Sequence, residues 1–428
     1  MFVTTNNDAV KNTSHKVVIP FYSYAALALL AANLLLFFSA ESFTGHYFHP
    51  HILAITHAMA LGWGTMIILG ASHQLLPVLT ESRLYSVALA YLSFAAAAAG
   101  IPLLLYGFYV FNMGWPARWG GVLILFSILC YLINIAGTIS KSKTENVHTV
   151  FVFTAALWLL LTTSLGVTLV YNFAYPVFSK DSLVYLPLHA HMGIIGWFLL
   201  MVIGVGSRLI PMFLISKYSN PKLLWLIYIL INSGLLIFLL LFLYYPTAPF
   251  YLIPVVAVLA AVALFGYYCF ACYRQRIRKQ VDEPMKTSLL AVTIMLLPML
   301  LLFIIIRLLI LNNMNTRLVL VYGFVIFFGW ITAIIFGMTF KTLPFIVWNK
   351  VYHQKAGLGK TPNPKDLFSN IIFKAMAITY GTGFVFFIAG VLTVNIFLLQ
   401  SGAVFLITAA VLFNWNLIKL LLHKPVRT

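Results

Sequence analysis

The sequence predicts an all-α, polytopic membrane protein whose twelve transmembrane helices form three parallel four-helix repeats with pseudo-threefold symmetry. Three observations lead there. The 428-residue chain is 62% hydrophobic and only 8% charged, far from the balance of a soluble domain. Apolar runs long enough to cross a ~30 Å hydrocarbon core recur from end to end. The pattern Gly-Trp-x6-Gly-x6-Pro occurs three times: Gly62, Trp63, Gly70, Pro77; Gly196, Trp197, Gly204, Pro211; Gly329, Trp330, Gly337, Pro344. The copies are 134 and 133 residues apart. At this chain's own Gly, Trp and Pro frequencies the pattern arises by chance at about one position in several hundred thousand, so it marks an internal repeat.

The spans fall at roughly 19–39, 51–79, 84–110, 119–140, 148–172, 187–215, 222–244, 250–273, 287–311, 317–346, 369–394 and 400–421. The first follows a polar tail without a small-residue cleavage site and reads as retained. The motif lies in spans two, six and ten, which divides one membrane domain, 1–428, into repeats at about 17–147, 148–286 and 287–428. Four spans return the chain to its starting side, so the repeats are parallel, related by an axis along the membrane normal. The motif glycines let helices approach closely in lipid. The motif proline is placed to end or kink its helix. The longest polar segment, 349–368, is a loop carrying Gly357, Gly359, Pro362 and Pro364.

The formal net charge of +18 is a topology signal. Twenty-two of the 26 Lys and Arg lie at the N-terminal tail or toward alternate loops, among them Lys141, Lys143, Arg274, Arg276, Arg278, Lys350, Lys355 and Lys360. Arg118, Lys180, Arg307 and Arg317 fall on the other side. This positive-inside bias puts both termini in the cytoplasm, and attraction to anionic lipid accounts for the basic surface without nucleic acid. All eight acidic residues lie in the tail or near span ends and loops, which disfavours a proton-coupled carrier with a carboxylate at membrane depth. Gln74, Arg208 and Lys341, each four residues past the second motif glycine, read as side chains reaching for headgroups. Cys130, Cys269 and Cys272 make no disulfide framework and read as packing residues.

The residue five places before each Gly-Trp carries the functional signal: His57, His191, Phe324. His46, His49, His51 and His189 gather near the first two, so six of eleven histidines lie on the outer side. Polar groups buried in a bilayer are costly and usually functional. Imidazoles at matching depth on two helices suit haem iron, so His57 and His191 are expected to ligate one b-type haem from its two faces. Two residues apart on a helix, His189 and His191 point about 200° away from each other. His189 is therefore assigned to a second site for copper or another metal, with His49 and His51. Arg307, near the outer end of span nine, is the expected cation for a haem propionate. The motif tryptophans read as scaffold, because Trp330 has no histidine before it.

Twelve spans in three groups of four, with outer-side histidines on spans two and six, resemble the catalytic subunit of haem–copper oxidases and nitric oxide reductases. The spacing His57, Gly62, Gly70, Pro77 also resembles the NnrS-type membrane proteins, which bind haem and copper and are tied to nitric oxide stress. The resemblance implies a bacterial inner-membrane haem protein acting in electron transfer or nitric oxide binding, with a small redox protein or a gas as partner. It departs where an oxidase does its chemistry. Span ten has Phe324 and no histidine, span seven has none, and Ile195 and Gly193 stand where a tyrosine follows the family's copper histidine. A competent terminal oxidase is thereby excluded. A metal or haem transporter, and a membrane subunit without cofactors, are the alternative readings.

Overall fold

The computed structural model describes residues 13–142, 146–352 and 361–425. Lys143, Lys355, Lys360, Gly357 and Gly359 lie outside the described residues. Among those described, twelve helices are long and apolar enough to cross a membrane: α1 (His15–Phe38), α2 (Pro50–Leu79), α3 (Val87–Tyr109), α4 (Trp115–Ile139), α5 (Val147–Asn172), α6 (Ser182–Leu214), α7 (Pro221–Tyr244), α8 (Ala248–Arg274), α9 (Glu283–Ile310), α10 (Thr316–Tyr352), α11 (Asn370–Thr393) and α12 (Ile396–Leu421). This is the architecture of a multi-pass membrane protein, in which the helical backbone satisfies its own hydrogen bonds. Most helix starts are fixed by a side chain that accepts a first-turn N–H, as Ser86 does from Leu89, Asn146 from His148 and Ser369 from Ile372.

The motif helices α2, α6 and α10 form the inside of the bundle. Their central stretches are 67%, 78% and 78% buried, against 22–44% for the other nine helices. The neighbours repeat in kind around them. α1 packs on α2, α5 on α6 and α9 on α10; α3 pairs with α4, α7 with α8 and α11 with α12. α4 then meets α5, α8 meets α9, and α12 returns to α1, which closes the outer ring.

Close approach explains the motif glycines. A Cβ on Gly70 would stand 2.6 Å from Phe21 Cβ of α1, and one on Gly204 would collide with Phe151 Cβ of α5. The proline acts differently in the three helices. α2 and α6 stop at Leu79 and Leu214, soon after Pro77 and Pro211, whereas α10 runs past Pro344 to Tyr352.

The inner helices are joined through the motif tryptophans. Trp63 Nε1 donates to Thr332 Oγ1 of α10 at 3.0 Å, and Trp197 Nε1 donates to Thr65 Oγ1 of α2 at 3.0 Å. Thr332 in turn donates to Phe327 O at 2.6 Å, so the indole proton enters a chain of bonds. Each acceptor lies two residues past a motif tryptophan. The third such position is Leu199, which cannot accept, and Trp330 therefore lacks this link.

Lys341 corrects a sequence expectation. It is only 7% exposed, and its Nζ lies 2.7 Å from Asp282 Oδ2 at the start of α9 and 4.8 Å from the centre of the Phe213 ring. A charge held this way is buried in protein and does not reach the headgroups. Arg208, its counterpart on α6, is exposed.

Candidate functional site: a histidine-lined cavity

All three inner helices change winding at the same place. α-Helical turns ending at His57, His191 and Phe324 give way to π-helical stretches over Ala58–Thr65, Met192–Leu199 and Val325–Ile331. Wider π turns are frequent at functional sites. Here each one leaves the residue five before Gly-Trp as the last α-helical residue.

What it faces is not its own equivalent. The His57 and His189 rings lie 6.2 Å apart between centres and within 17° of parallel. His191 instead meets Tyr322 of α10, with ring centres 6.0 Å apart, planes within 25°, and Tyr322 OH 3.2 Å from His191 Nε2. The expected His57–His191 pair is therefore replaced by His57–His189 and His191–Tyr322. Each of these histidines meets the residue two positions before the corresponding slot ahead of the next Gly-Trp: His57 meets His189, and His191 meets Tyr322.

The two imidazoles are oriented for ligation. His57 Nδ1 donates to Leu53 O at 2.8 Å, and His189 Nδ1 donates to Thr162 O of α5 at 3.1 Å. A carbonyl only accepts, so both Nδ1 atoms carry the proton and both Nε2 atoms keep their lone pair, as metal-ligating histidines do. Gly166 makes room for this arrangement: a Cβ there would stand 2.8 Å from His189 Cε1. His191 repeats the tie of His57, its Nδ1 donating to Pro187 O four residues earlier at 2.7 Å.

These groups line one apolar cavity of about 550 Å³. Two sets of its lining residues flank α6. Leu53, His57, Phe108, Gly121, Gly166 and His189 belong to the α2–α6 side, and His191, Phe238, Tyr251, Met299, Leu302 and Tyr322 to the α6–α10 side. At the third position Ile55, Phe324 and Phe328 also line this cavity. Phe324 stacks on Phe328, Phe384 and Phe387 at 4.6, 5.6 and 4.5 Å, and Phe43 meets Phe387 edge-on at 5.0 Å.

The other expected site residues are placed elsewhere. His49 caps α2, its Nδ1 accepting His51 N–H at 3.2 Å, and His51 stacks on Tyr109 at 4.1 Å with Nδ1 3.3 Å from Ser42 Oγ. His189 is committed to His57, so the metal trio His189, His49 and His51 is not assembled. Among the described residues no three His, Cys, Asp or Glu side chains are grouped to hold a metal ion. Arg307 is exposed and is not part of the cavity wall. Arg118 is not part of the wall either, but lies on α4 one turn from the cavity-lining Gly121. Its guanidinium lies 4.9 Å from the Tyr175 ring and 5.4 Å from that of Tyr171, and its buried Nε has no hydrogen-bond partner. His73 lies apart, fully buried between the Phe21 and Tyr131 rings.

Sequence reasoning missed Tyr322, Gly166 and the buried Nε of Arg118. Tyr322 had a signal, because it is the third member of the aligned set Ile55, His189, Tyr322. No protein-family model matches this chain, and no curated protein matches it significantly.

Proposed function

We propose that this chain is a haem-binding protein of a bacterial inner membrane, built as three parallel four-helix repeats about a pseudo-threefold axis, with its haem site on the outer side. The observation that carries the reading is the His57–His189 pair. Two Nε2–metal bonds of about 2 Å each, added to the short reach from nitrogen to ring centre, come to about the observed 6.2 Å between ring centres. The chemistry of the donors agrees: neutral imidazoles, Nδ1 tied back, in an apolar cavity of cofactor size. The buried, partnerless Arg118 Nε fits a propionate at the cavity's end, the role the sequence assigned to Arg307.

When bound, a haem held by two imidazoles is coordinatively saturated and supplies one-electron transfer. The protein's own part is to fix the imidazole planes through Leu53 O and Thr162 O, to exclude water with apolar walls, and to balance a propionate with Arg118. Electron transfer at the outer side is thus favoured over gas binding at this pair. The architecture is that proposed for a relative of the haem–copper oxidases without the oxygen-reducing centre.

The test is the visible spectrum of the purified protein with a pyridine haemochrome assay. A low-spin bis-imidazole spectrum that is lost in His57→Ala and in His189→Ala, and retained in His191→Ala, supports the assignment. A colourless wild-type protein from haem-supplemented cells overturns it. Loss of that spectrum in His191→Ala with retention in His189→Ala would restore the pairing of equivalent histidines.

A further inference from the structure

We infer that a cavity at the other end of α6 from His189 and His191 is a binding site for a phosphate group, held by Arg208, Lys217 and His148. It is independent of the haem reading.

Three observations carry it. First, the repeats differ in how they balance charge at this end of the inner helices. The position four residues past the second motif glycine is Gln74, Arg208 or Lys341. The outer helix packed on each of these inner helices, α1, α5 or α9, begins at a cap residue: Ser14, Asn146 or Asp282. In the first repeat both are neutral. In the third, cation and carboxylate close on each other, with Lys341 Nζ 2.7 Å from Asp282 Oδ2. The second repeat keeps the cation but has an amide at the cap. Among the described residues, which do not include Glu145, no carboxylate pairs with Arg208 or Lys217.

Second, these cations border a cavity. About 430 Å³ lies between the start of α5, the end of α6 and the segment after α8, lined by Arg208, Lys217, His148, Ser216 and Ser219 among others, with no carboxylate in its wall. The chain leaving α6 is pinned there. Ile215 takes a left-handed φ of 52°, and its carbonyl accepts Ile277 N–H at 3.0 Å.

Third, hydrogen bonding fixes what the wall offers. Ser207 Oγ donates to Gly204 O at 3.0 Å, so its proton is taken. His148 Nδ1 is then the donor, to Ser207 Oγ at 2.9 Å and Gly204 O at 3.2 Å. His148 Nε2 keeps its lone pair and has no partner in the wall. The cavity thus presents two cations, hydroxyl groups and one acceptor.

That set fits a phosphate. The guanidinium and the ammonium pair with its oxygens through charge-assisted hydrogen bonds, and convergence in a cavity gives them a strength that exposed cations lack singly. A hydroxyl of the ligand donates to His148 Nε2, which a chloride or a carboxylate cannot do. Both inorganic phosphate and a glycerol-bearing phospholipid headgroup carry such a hydroxyl. Met212 and Ile215, 52% and 55% exposed on the same wall, give an acyl chain a surface to lie on.

The experiment uses the full-length protein in detergent, stripped of lipid. Phosphatidylglycerol retained per chain is counted by native mass spectrometry, and inorganic phosphate is titrated by calorimetry and used as competitor. The wild type is expected to hold one phosphatidylglycerol more tightly than phosphatidylcholine, or to bind one inorganic phosphate. Arg208→Gln and Lys217→Gln should each weaken binding about tenfold or more, and Arg208→Lys should recover part of the loss, which a misfolded protein would not. The double variant Arg274→Gln, Lys279→Gln, at basic positions outside the cavity wall, should bind as the wild type does. Phosphatidylglycerol held against excess inorganic phosphate assigns the lipid headgroup; its release, with inorganic phosphate bound in its place, assigns free phosphate. Unchanged binding in the Arg208→Gln, Lys217→Gln double variant overturns the site. So does an equal loss in the Arg274→Gln, Lys279→Gln variant, or no tight binding of either probe. The visible spectrum should be the same in Arg208→Gln as in the wild type, so the two sites stand or fall separately.

Discussion

Two of the three equivalent positions on the inner helices carry a histidine and one a phenylalanine, though all three use the same helical device. At the α2–α6 and α6–α10 interfaces a histidine ends the α-helical turn and apolar space remains beside it. At the third position Phe324 ends the turn, and its ring lines the cavity while stacking on Phe384 and Phe387 of α11. The far end of α10 is also the most heavily braced. Lys341 is buried against Asp282, and Glu283 is paired with Lys286 at 3.1 Å and Lys374 at 3.6 Å. The contrast teaches that one scaffold position can end either in an imidazole facing the next inner helix or in an aromatic stack on the outer one. The third group of four helices has taken the second role, with aromatic packing at one end and ion pairs at the other.

Removing the brace should have the largest effect. Asp282→Asn leaves Lys341 buried without its partner, a change that costs about 3–5 kcal/mol, and thermal unfolding in detergent should register it; the double variant with Lys341→Met should recover most of the loss. A Tm equal to wild type in Asp282→Asn would mean that Lys341 finds water. Next, Phe324→Ala should cost about 3–5 kcal/mol, because it breaks an aromatic stack. Phe238→Ala, at a ring that lacks so dense an aromatic stack, should cost clearly less in apoprotein; equal losses would erase the distinction between the phenylalanine and the histidine positions.

Smaller effects sharpen the histidine side. Gly166→Ala puts a methyl 2.8 Å from His189 Cε1. The imidazole must shift, so low-spin haem occupancy should fall while stability changes by about 1–3 kcal/mol; unchanged spectra would show that His189 has slack. The smallest changes concern the tryptophan links. Thr65→Val removes the acceptor for Trp197 Nε1 and should cost about 1 kcal/mol. Leu199→Thr supplies the acceptor missing at the third link and should be neutral or stabilising by a similar amount, read by the same unfolding measurement.

The twelve helices lie within a few residues of the spans read from the sequence, because length and apolarity are properties of each segment alone. The position of His57 and His191 at the end facing a neighbouring helix was legible too, since it follows from the motif register. Their partners were not. Which residue faces His57 depends on how α2 and α6 are turned about their axes, and the wide turns after His57 and His191 change that rotation without leaving a mark in composition. Tyr322 was overlooked because a tyrosine in an apolar span reads as packing. It becomes visible only when aligned with His189, two residues before the slot. The cations failed for a related reason: Arg307 and Arg118 are both near helix ends, and only the packing shows that one faces outward while the other has a buried, partnerless Nε. Lys341 was misjudged because Asp282 is 59 residues away in sequence.

The π-helical stretch after each slot has a consequence for how such a protein changes over time. A wide turn is an α-helix holding one residue too many, and one residue is worth about 100° of rotation. The end of α2 that carries His57 and the end that carries Gly70 are therefore keyed separately. Losing a single residue between Ala58 and Gly62 would swing His57 away from His189 while the glycine face stayed packed on α1. A ligand site and a membrane scaffold can thus be re-aimed against each other by an insertion or a deletion, without a single substitution in either.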